Sequence, residues 1–561
     1  MGPLVRPLRK DVVGDLDKWL WVVMGTVGIV LLIACANIAN LMLVRGEARQ
    51  QELGVRAALG AGWRAIAWDM ASESLALGMA GGAVGVALAW IGIRALVSAA
   101  PAGLPNSDAI SLSPLVFGFA LALSVLASLL FSVAPIWKYA GGRVSSALRL
   151  SGRSFSQGRE RHRAQQTLVV MQVALALLLV IGSGLMLRTF MALRNVPPGF
   201  QKPEGIQAFR YTIPEAQVKD PEAVVRMQEQ ILHKLEQIPG VTRAAFTSSI
   251  TMDGRDNNEI VFAEDRRFEE GALPPVRRTK MISPGTFETV GNPLLAGRDI
   301  TWQDTYQHTP VVLISENFAK EWWGGARNAL GKRIGARNDW REIVGVVGNE
   351  YDDGPDHPAP TVVYRPSLIK DISRPEPYVS RGIGVTLRTQ RAGTESLTNE
   401  IRQAVWSVNS SLPVFEIMTL EEIYQKTLAR VSFTLVLLVV AGLMALLLGL
   451  VGIYGVLAYT VAQKTKEIGI RMALGANAGS IVRMFTLRGM KLAAIGIACG
   501  LLAAVLSTRV MASLLYGVGA LDKTTFAVVV PLVAVITLVA SYVPSRKAAR
   551  AVPVESLRAE G

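Results

Sequence analysis

Cysteine is almost missing, with two in 561 residues. Cys35 and Cys499 both lie inside long apolar runs, so no disulfide frames a soluble part of the chain, which must be held by its own core. Histidine is nearly as scarce. His162, His233, His308 and His357 are scattered, without His-Glu-x-x-His or a similar ligand spacing, which excludes a zinc-dependent hydrolase. The run Asp352-Asp353-Gly354-Pro355-Asp356-His357 has the composition of a turn, so no metal and no cofactor is expected. There is no phosphate-cradling Gly-x4-Gly-Lys-Ser/Thr loop either. The nearest approach, Gly325 to Arg333, has five residues between its glycines and an arginine where the hydroxyl belongs; the chain is expected to be no enzyme.

Charge is missing from seven stretches: Leu20 to Val44, Leu75 to Ile93, Leu115 to Trp137, Leu168 to Leu187, Phe433 to Tyr459, Leu492 to Thr508 and Phe526 to Val543. Each is near the roughly 20 apolar residues that cross a bilayer core. Leu492 to Thr508 lengthens to Tyr516 if Arg509 snorkels to the interface. With 50% hydrophobic residues and a mean hydropathy of +0.34, the chain reads as a multi-pass α-helical membrane protein with about seven transmembrane helices. The first run is too long for a cleaved signal and is followed by Arg45, so it is expected to be retained.

The net charge of +14 is a topology signal. Arg45 to Glu73, Lys138 to Arg163, Lys464 to Lys491 and Arg546 to the end hold 21 basic and 8 acidic residues, nearly the whole surplus. All four fall on one side if the helices alternate, and the positive-inside rule makes that side cytoplasmic. The tail 1–19 and the insert 195–429 then lie outside the cell membrane. No basic patch interleaves with exposed aromatics in a soluble region, so no nucleic-acid partner is expected.

One segment is written twice. Glu52-Leu-Gly-Val-Arg-Ala-Ala-Leu-Gly-Ala61 and Glu467-Ile-Gly-Ile-Arg-Met-Ala-Leu-Gly-Ala476 share seven of ten residues, without a gap and 415 positions apart. The same offset carries Gly81 and Gly85 onto Gly496 and Gly500, giving each copy a Gly-x-x-x-Gly helix-packing face. Pro135, Leu148 and Arg149 match Pro544, Leu557 and Arg558 at an offset of 409. The chain thus divides into a three-helix membrane unit (20–150), a basic linker with a fourth helix (151–194), the outer domain (195–429) and a second three-helix membrane unit (430–561). The fourth helix and the outer domain have no second copy.

The outer domain begins as strand (Ile206 to Ile213), helix (Pro221 to Gln237, capped by Asp220) and strand (Val241 to Ser248). It ends as strand (Ile383 to Arg388), helix (Glu395 to Asn409) and strand (Val414 to Met418). Two such units predict an α+β, ferredoxin-like sheet. Thr251 to Val379, with strands expected at Val311 to Ile314 and Ile343 to Val347, reads as an inserted β-rich subdomain.

These residues resemble FtsX-like permeases. The repeated Glu-x-Gly-x-Arg-x-Ala-Leu-Gly-Ala segment, Pro544-Ser-Arg-Lys-Ala-Ala-Arg550 with Pro553, and the large outer domain are most similar to the macrolide exporter and lipoprotein-releasing members. The tandem layout, with Ala34-Cys-Ala-Asn-Ile-Ala-Asn-Leu41 and Gly345-Val-Val-Gly348, resembles the duplicated orphan permeases, from which this chain departs by lacking a first helix and first outer domain. The resemblance implies the permease of an ABC transporter in a bacterial inner membrane, energised by a separate ATPase chain, moving its outer domain to export a substrate, with a periplasmic adaptor as a further candidate partner. Glu52, Gly54, Arg56, Gly60, Glu467, Gly469, Arg471 and Gly475 would contact the ATPase. The competing reading is a non-transporting signalling scaffold that activates a cell-wall hydrolase. Asn37, Asn40 and Gln172, polar inside membrane helices, read as interhelical hydrogen-bonding groups.

Overall fold

The computed structural model describes residues 16–48, 56, 62–98, 113–139, 155–267, 274–336, 339–370, 377–464, 468, 470–472, 474, 476–511 and 515–549. The chain forms two compact units, one of Met1–Ala100, Pro105–Ala192 and Val431–Gly561, the other of Pro101–Leu104 and Leu193–Arg430. The first unit opens with α1 (Leu16–Ala48), α2 (Trp63–Ser98), α3 (Pro114–Tyr139) and α4 (Phe155–Arg194). Helices this apolar suit lipid, where every backbone polar group has to be satisfied within the segment.

The second unit starts with β1 (Ile206–Thr212), α5 (Pro221–Glu236) and β2 (Val241–Thr247). Asp220 caps α5, accepting from the amides of Glu222 and Ala223, and Pro221 supplies the fixed φ of the first turn. Apolar residues three and four apart, Val224, Met227, Ile231 and Leu235, form one face of α5, with Val224, Ile231 and Leu235 buried. Asp220→Ala should therefore lower the stability of this unit by about 1 kcal/mol, seen as faster amide exchange in the first turn of α5.

The insert contributes β3 (Val276–Ile282), β4 (Val311–Ser315), α6 (Glu316–Trp323), β5 (Arg333–Ala336), β6 (Asp339–Val347) and β7 (Val362–Pro366), and the closing elements are β8 (Gly382–Thr389), α7 (Glu395–Val408) and β9 (Val414–Thr419). The sheet runs β9-β1-β8-β2-β3-β7-β4-β6-β5, with three short strands completing twelve. Its first four strands are the antiparallel ferredoxin-like arrangement expected from two strand-helix-strand units, with α5 and α7 packed on a core of Phe209, Tyr211, Phe246, Val385 and Leu387. The expected strands at Val311 and Ile343 pair in parallel as β4 and β6, over Phe318 and Trp322 of α6.

The insert does not form a separate sheet; it continues the first. The join is one residue pair, Thr247 opposite Ile282. Backbone and side-chain bonds share the seam: the Ser248 amide donates to the Met281 carbonyl (2.8 Å) and the Ser283 amide to the Phe246 carbonyl (3.0 Å), while the Phe246 amide donates to Ser283 Oγ (2.9 Å) and the Met281 amide to Ser248 Oγ (3.0 Å).

The first unit resumes with α8 (Leu420–Gln463), α9 (Ala478–Met511) and α10 (Lys523–Ala549). Their bounds repeat the first copy. Ala48 and Gln463 end α1 and α8, Trp63 and Ala478 begin α2 and α9, each pair at the offset of 415, and Pro114 and Lys523 begin α3 and α10 at the offset of 409. Among the described residues six helices are long and apolar enough to cross a membrane, and α3, the seventh expected span, has its described apolar stretch at Pro114–Leu129.

The two copies meet about a local two-fold axis. Asn37 of α1 and Gly452 of α8 occupy equivalent positions, and they touch. A β-carbon at Gly452 would lie 2.4 Å from Asn37 Oδ1 and 2.2 Å from Gln172 Oε1. Asn37 Nδ2 donates to the Leu448 carbonyl (2.7 Å), and Gln172 Nε2 of α4 donates to Asn37 Oδ1 (3.0 Å). Around them Val30 and Ala445, and Ile33 and Leu448, share one apolar cluster as equivalent pairs. Contact between equivalent positions is how an isologous interface is recognised. Asn37 and Gln172 thus tie helices together, with α4 wedged at the join, whereas Asn40 Oδ1 is buried without a hydrogen-bond partner among the described residues.

Candidate partner-docking site

In the second copy, the chain leaves α8 at Gln463 and turns at Lys464, whose carbonyl accepts from the Ile468 amide (2.8 Å). Ile468 is buried against Ile481 and Phe485 of α9, together with Met472. One face is thereby fixed inward. Other residues of the turn are exposed: Ile470 is 47% and Leu474 83% exposed, four apart as on one helix face, and Arg471 is exposed with them. The turn closes with Leu474 N to Ile470 O (3.0 Å) and Ala476 N to Arg471 O (2.9 Å), and Asn477 then receives the Gly479 amide (3.1 Å) to start α9.

Arg471 lies 3.4 Å from Met484 Sδ on α9. Arg56, its counterpart, lies 3.2 Å from Asp69 Oδ2 on α2. Both partners stand thirteen residues on, so the geometry is shared while the chemistry differs. Arg56 and Asp69 are half-exposed, and a pair like that contributes about 0–1 kcal/mol. It orients the guanidinium more than it holds the fold. Of the other residues expected to meet a partner, Glu52, Gly54, Gly60, Glu467, Gly469 and Gly475 lie outside the described residues.

Comparison with known proteins agrees with the duplication. The model of the FtsX-like permease C-terminal family matches residues 24–142 and again 439–553. The membrane unit is that of an FtsX-like permease. The macrolide export ATP-binding/permease protein MacB of Escherichia coli is 26% identical over 279 residues, 49% of this chain and 42% of the relative. A pyoverdine export ATP-binding/permease protein, PvdT of Pseudomonas savastanoi, is 27% identical over 280 residues, 48% of this chain and 40% of the relative. The chain thus spans less than half the length of these relatives. The periplasmic region of MacB from Actinobacillus actinomycetemcomitans overlaps 42% of the chain at 14% identity and a TM-score of 0.28, too slight a likeness to argue from.

The glycine faces of the two copies are unequal. A β-carbon at Gly496 would lie 2.7 Å from Val173 Cβ, and one at Gly500 would lie 3.0 Å from Ala174 Cα, so both are packed under α4. Gly81 and Gly85 have nothing within 4 Å. The expectation of matching helix-packing roles therefore needs correction: among the described residues α4 packs on the glycine face of the second copy and not on that of the first. What sequence reasoning passed over in the docking segment is Ile470 and Leu474. Their signal was the four-residue spacing of two apolar side chains in a charged turn, overshadowed by the repeated Glu, Gly and Arg. In the outer domain, Asp352 and Asp353 of the acidic turn ion-pair with Arg278, at 3.4 and 3.1 Å.

Proposed function

We propose that this chain is the permease subunit of an ABC transporter in a bacterial inner membrane, worked by an ATPase on a separate chain. The observation that carries the reading is the outward display of Ile470, Arg471 and Leu474 on a turn anchored inward by Ile468 and Met472. A rigid apolar pair flanking a guanidinium suits a groove on a partner protein, since such anchors dominate interfaces while scattered surface charge contributes little. Glu52, Gly54, Arg56 and Gly60, with Glu467, Gly469 and Gly475, complete the two contact segments, and α4 and α8, whose residues belong to both units, transmit the motion to the outer domain. The printed roles of the relatives, macrolide and pyoverdine export, favour export as its direction.

The test is co-purification with a separately encoded ABC ATPase, followed by ATPase and transport assays in proteoliposomes. Ile470→Asp with Leu474→Asp should weaken ATPase association at least tenfold, since losing two apolar anchors costs at least ~1.4 kcal/mol. Arg471→Glu should leave insertion intact and uncouple hydrolysis from transport. Unchanged association and coupling in both variants would sink the reading. Capture of a cell-wall hydrolase by a chain that moves no substrate would replace it with the scaffold.

A further inference from the structure

A cavity lies at the seam of the outer sheet, walled by side chains that are all buried. Thr247 and Ile282, the residue pair at which the two halves of the sheet join, both line it. From one side β2 and β8 bring Thr247 and Thr386; from the other β3 and β7 bring Lys280 and Tyr364. Its interior leaves about 20 Å³ for the centre of a water. One water needs roughly 10–15 Å³ by that measure, so there is room for one.

The walls hold donors that the protein does not satisfy. An ammonium has three N–H groups, and Lys280 gives two of them, to Glu350 (2.7 Å) and Asp352 (2.6 Å). Among the described residues the third has no acceptor. Tyr364 stands directly opposite Lys280 on the parallel pair of β3 and β7, so the two side chains share a face. Its hydroxyl is turned toward Glu350 without reaching hydrogen-bond geometry, and it too has no partner among the described residues. Across the seam, the Thr386 hydroxyl gives its proton to the Ala245 carbonyl (3.5 Å), which leaves its oxygen free to accept. Lys280 brings one positive charge to the wall and Glu350 one negative, so the balance favours a neutral guest over an ion.

We propose that this cavity is a binding site for one ordered water, which accepts from the Lys280 ammonium and the Tyr364 hydroxyl and donates to the Thr386 hydroxyl. An apolar cavity of this size would stay dry, but a buried donor left unmet carries its whole desolvation cost, and a water with three partners removes that cost for two donors at once. The guest therefore bridges the two halves of the outer sheet. It joins them beside the one residue pair that they share.

The test is a map of the full chain in lipid nanodiscs, fine enough to show ordered water at other buried sites. A peak is expected within hydrogen-bond distance of Lys280 Nζ and Tyr364 Oη, and Tyr364→Phe should at least halve it. The temperature at which β3 and β7 lose amide protection should fall by about 2–4 °C in that variant, the shift that losing one hydrogen bond gives a unit of this size. An unchanged or higher temperature would mean that the hydroxyl had been unmet in a dry cavity, and it overturns the proposal. No peak in a map that shows other buried waters also overturns it. So does a peak that strengthens when bromide replaces chloride, since that marks an anion.

Discussion

Lys280→Met is expected to destabilise the outer domain by about 3–5 kcal/mol, the usual effect of removing one partner from a buried charge network. Lys280 is buried on β3, with its ammonium 2.7 Å from Glu350 and 2.6 Å from Asp352, both also buried. Methionine keeps most of the stem's volume, so the loss would come from charge. Two carboxylates would remain in the core, with Arg278 (3.4 Å from Asp352) and the Thr251 hydroxyl (3.2 Å from Glu350) among the groups left beside them. Hydrogen exchange on the full chain in detergent should show lost protection across β3 and β7, which pair in parallel. Unchanged protection there would mean that the cluster contributes no more than its hydrophobic surroundings.

The pH dependence has a definite sign. Burial alone would lower the Lys280 ammonium, but Asp352 and Glu350 outweigh it, and the lysine stays charged. Burial, with Glu350 adding to it, raises the Asp352 carboxyl to about 6 against the pull of Lys280 and Arg278. A carboxyl raised in the folded state binds its proton there before the unfolded chain does. Its contribution to stability therefore falls as pH rises from about 4 to about 6. Asp352→Asn should flatten that slope, and the Lys280→Met defect should be smaller at pH 5 than at pH 8.

Much of the outer domain could be read from the chain because its signals are local. Asp220-Pro221 caps a helix wherever it occurs, and the three-and-four spacing of Val224, Met227, Ile231 and Leu235 defines an inward face without reference to any partner. The continuation of the sheet across Thr247 and Ile282 had no such signal. It rests on Ser248 and Ser283, which in sequence look like any loop serines. Strand β3 was hidden for a related reason: Val-Arg-Arg-Thr-Lys-Met-Ile reads as exposed until Glu350 and Asp352, seventy residues on, are brought against Lys280. The membrane repeat was plain as sequence, and the helix bounds follow it. Its inequality was not plain, because Gly-x-x-x-Gly specifies a surface that a helix can approach and says nothing of whether one is there.

Gly452→Leu is the second large effect, and it tests the two-fold join directly. A side chain at this position must displace Gln172 and Asn37 together, since both oxygens lie under 2.5 Å from where its β-carbon would be. Overpacking of this kind costs roughly 1–3 kcal/mol, and breaking the Gln172–Asn37–Leu448 chain of hydrogen bonds strands buried amides, each at about 1–3 kcal/mol. Gly455→Leu, one turn on, meets nothing within 4 Å and should be close to neutral. The pair of variants therefore separates the join from helix propensity, which improves in both. Thermal melting in detergent should fall for Gly452→Leu alone. If the two copies move against each other when a partner works on the docking turns, that variant should also lose coupled transport while still binding the partner. Ile470 and Leu474 lie on the docking turn and take no part in the apolar cluster at the join, so their replacement should show the reverse pattern, with binding lost and melting kept.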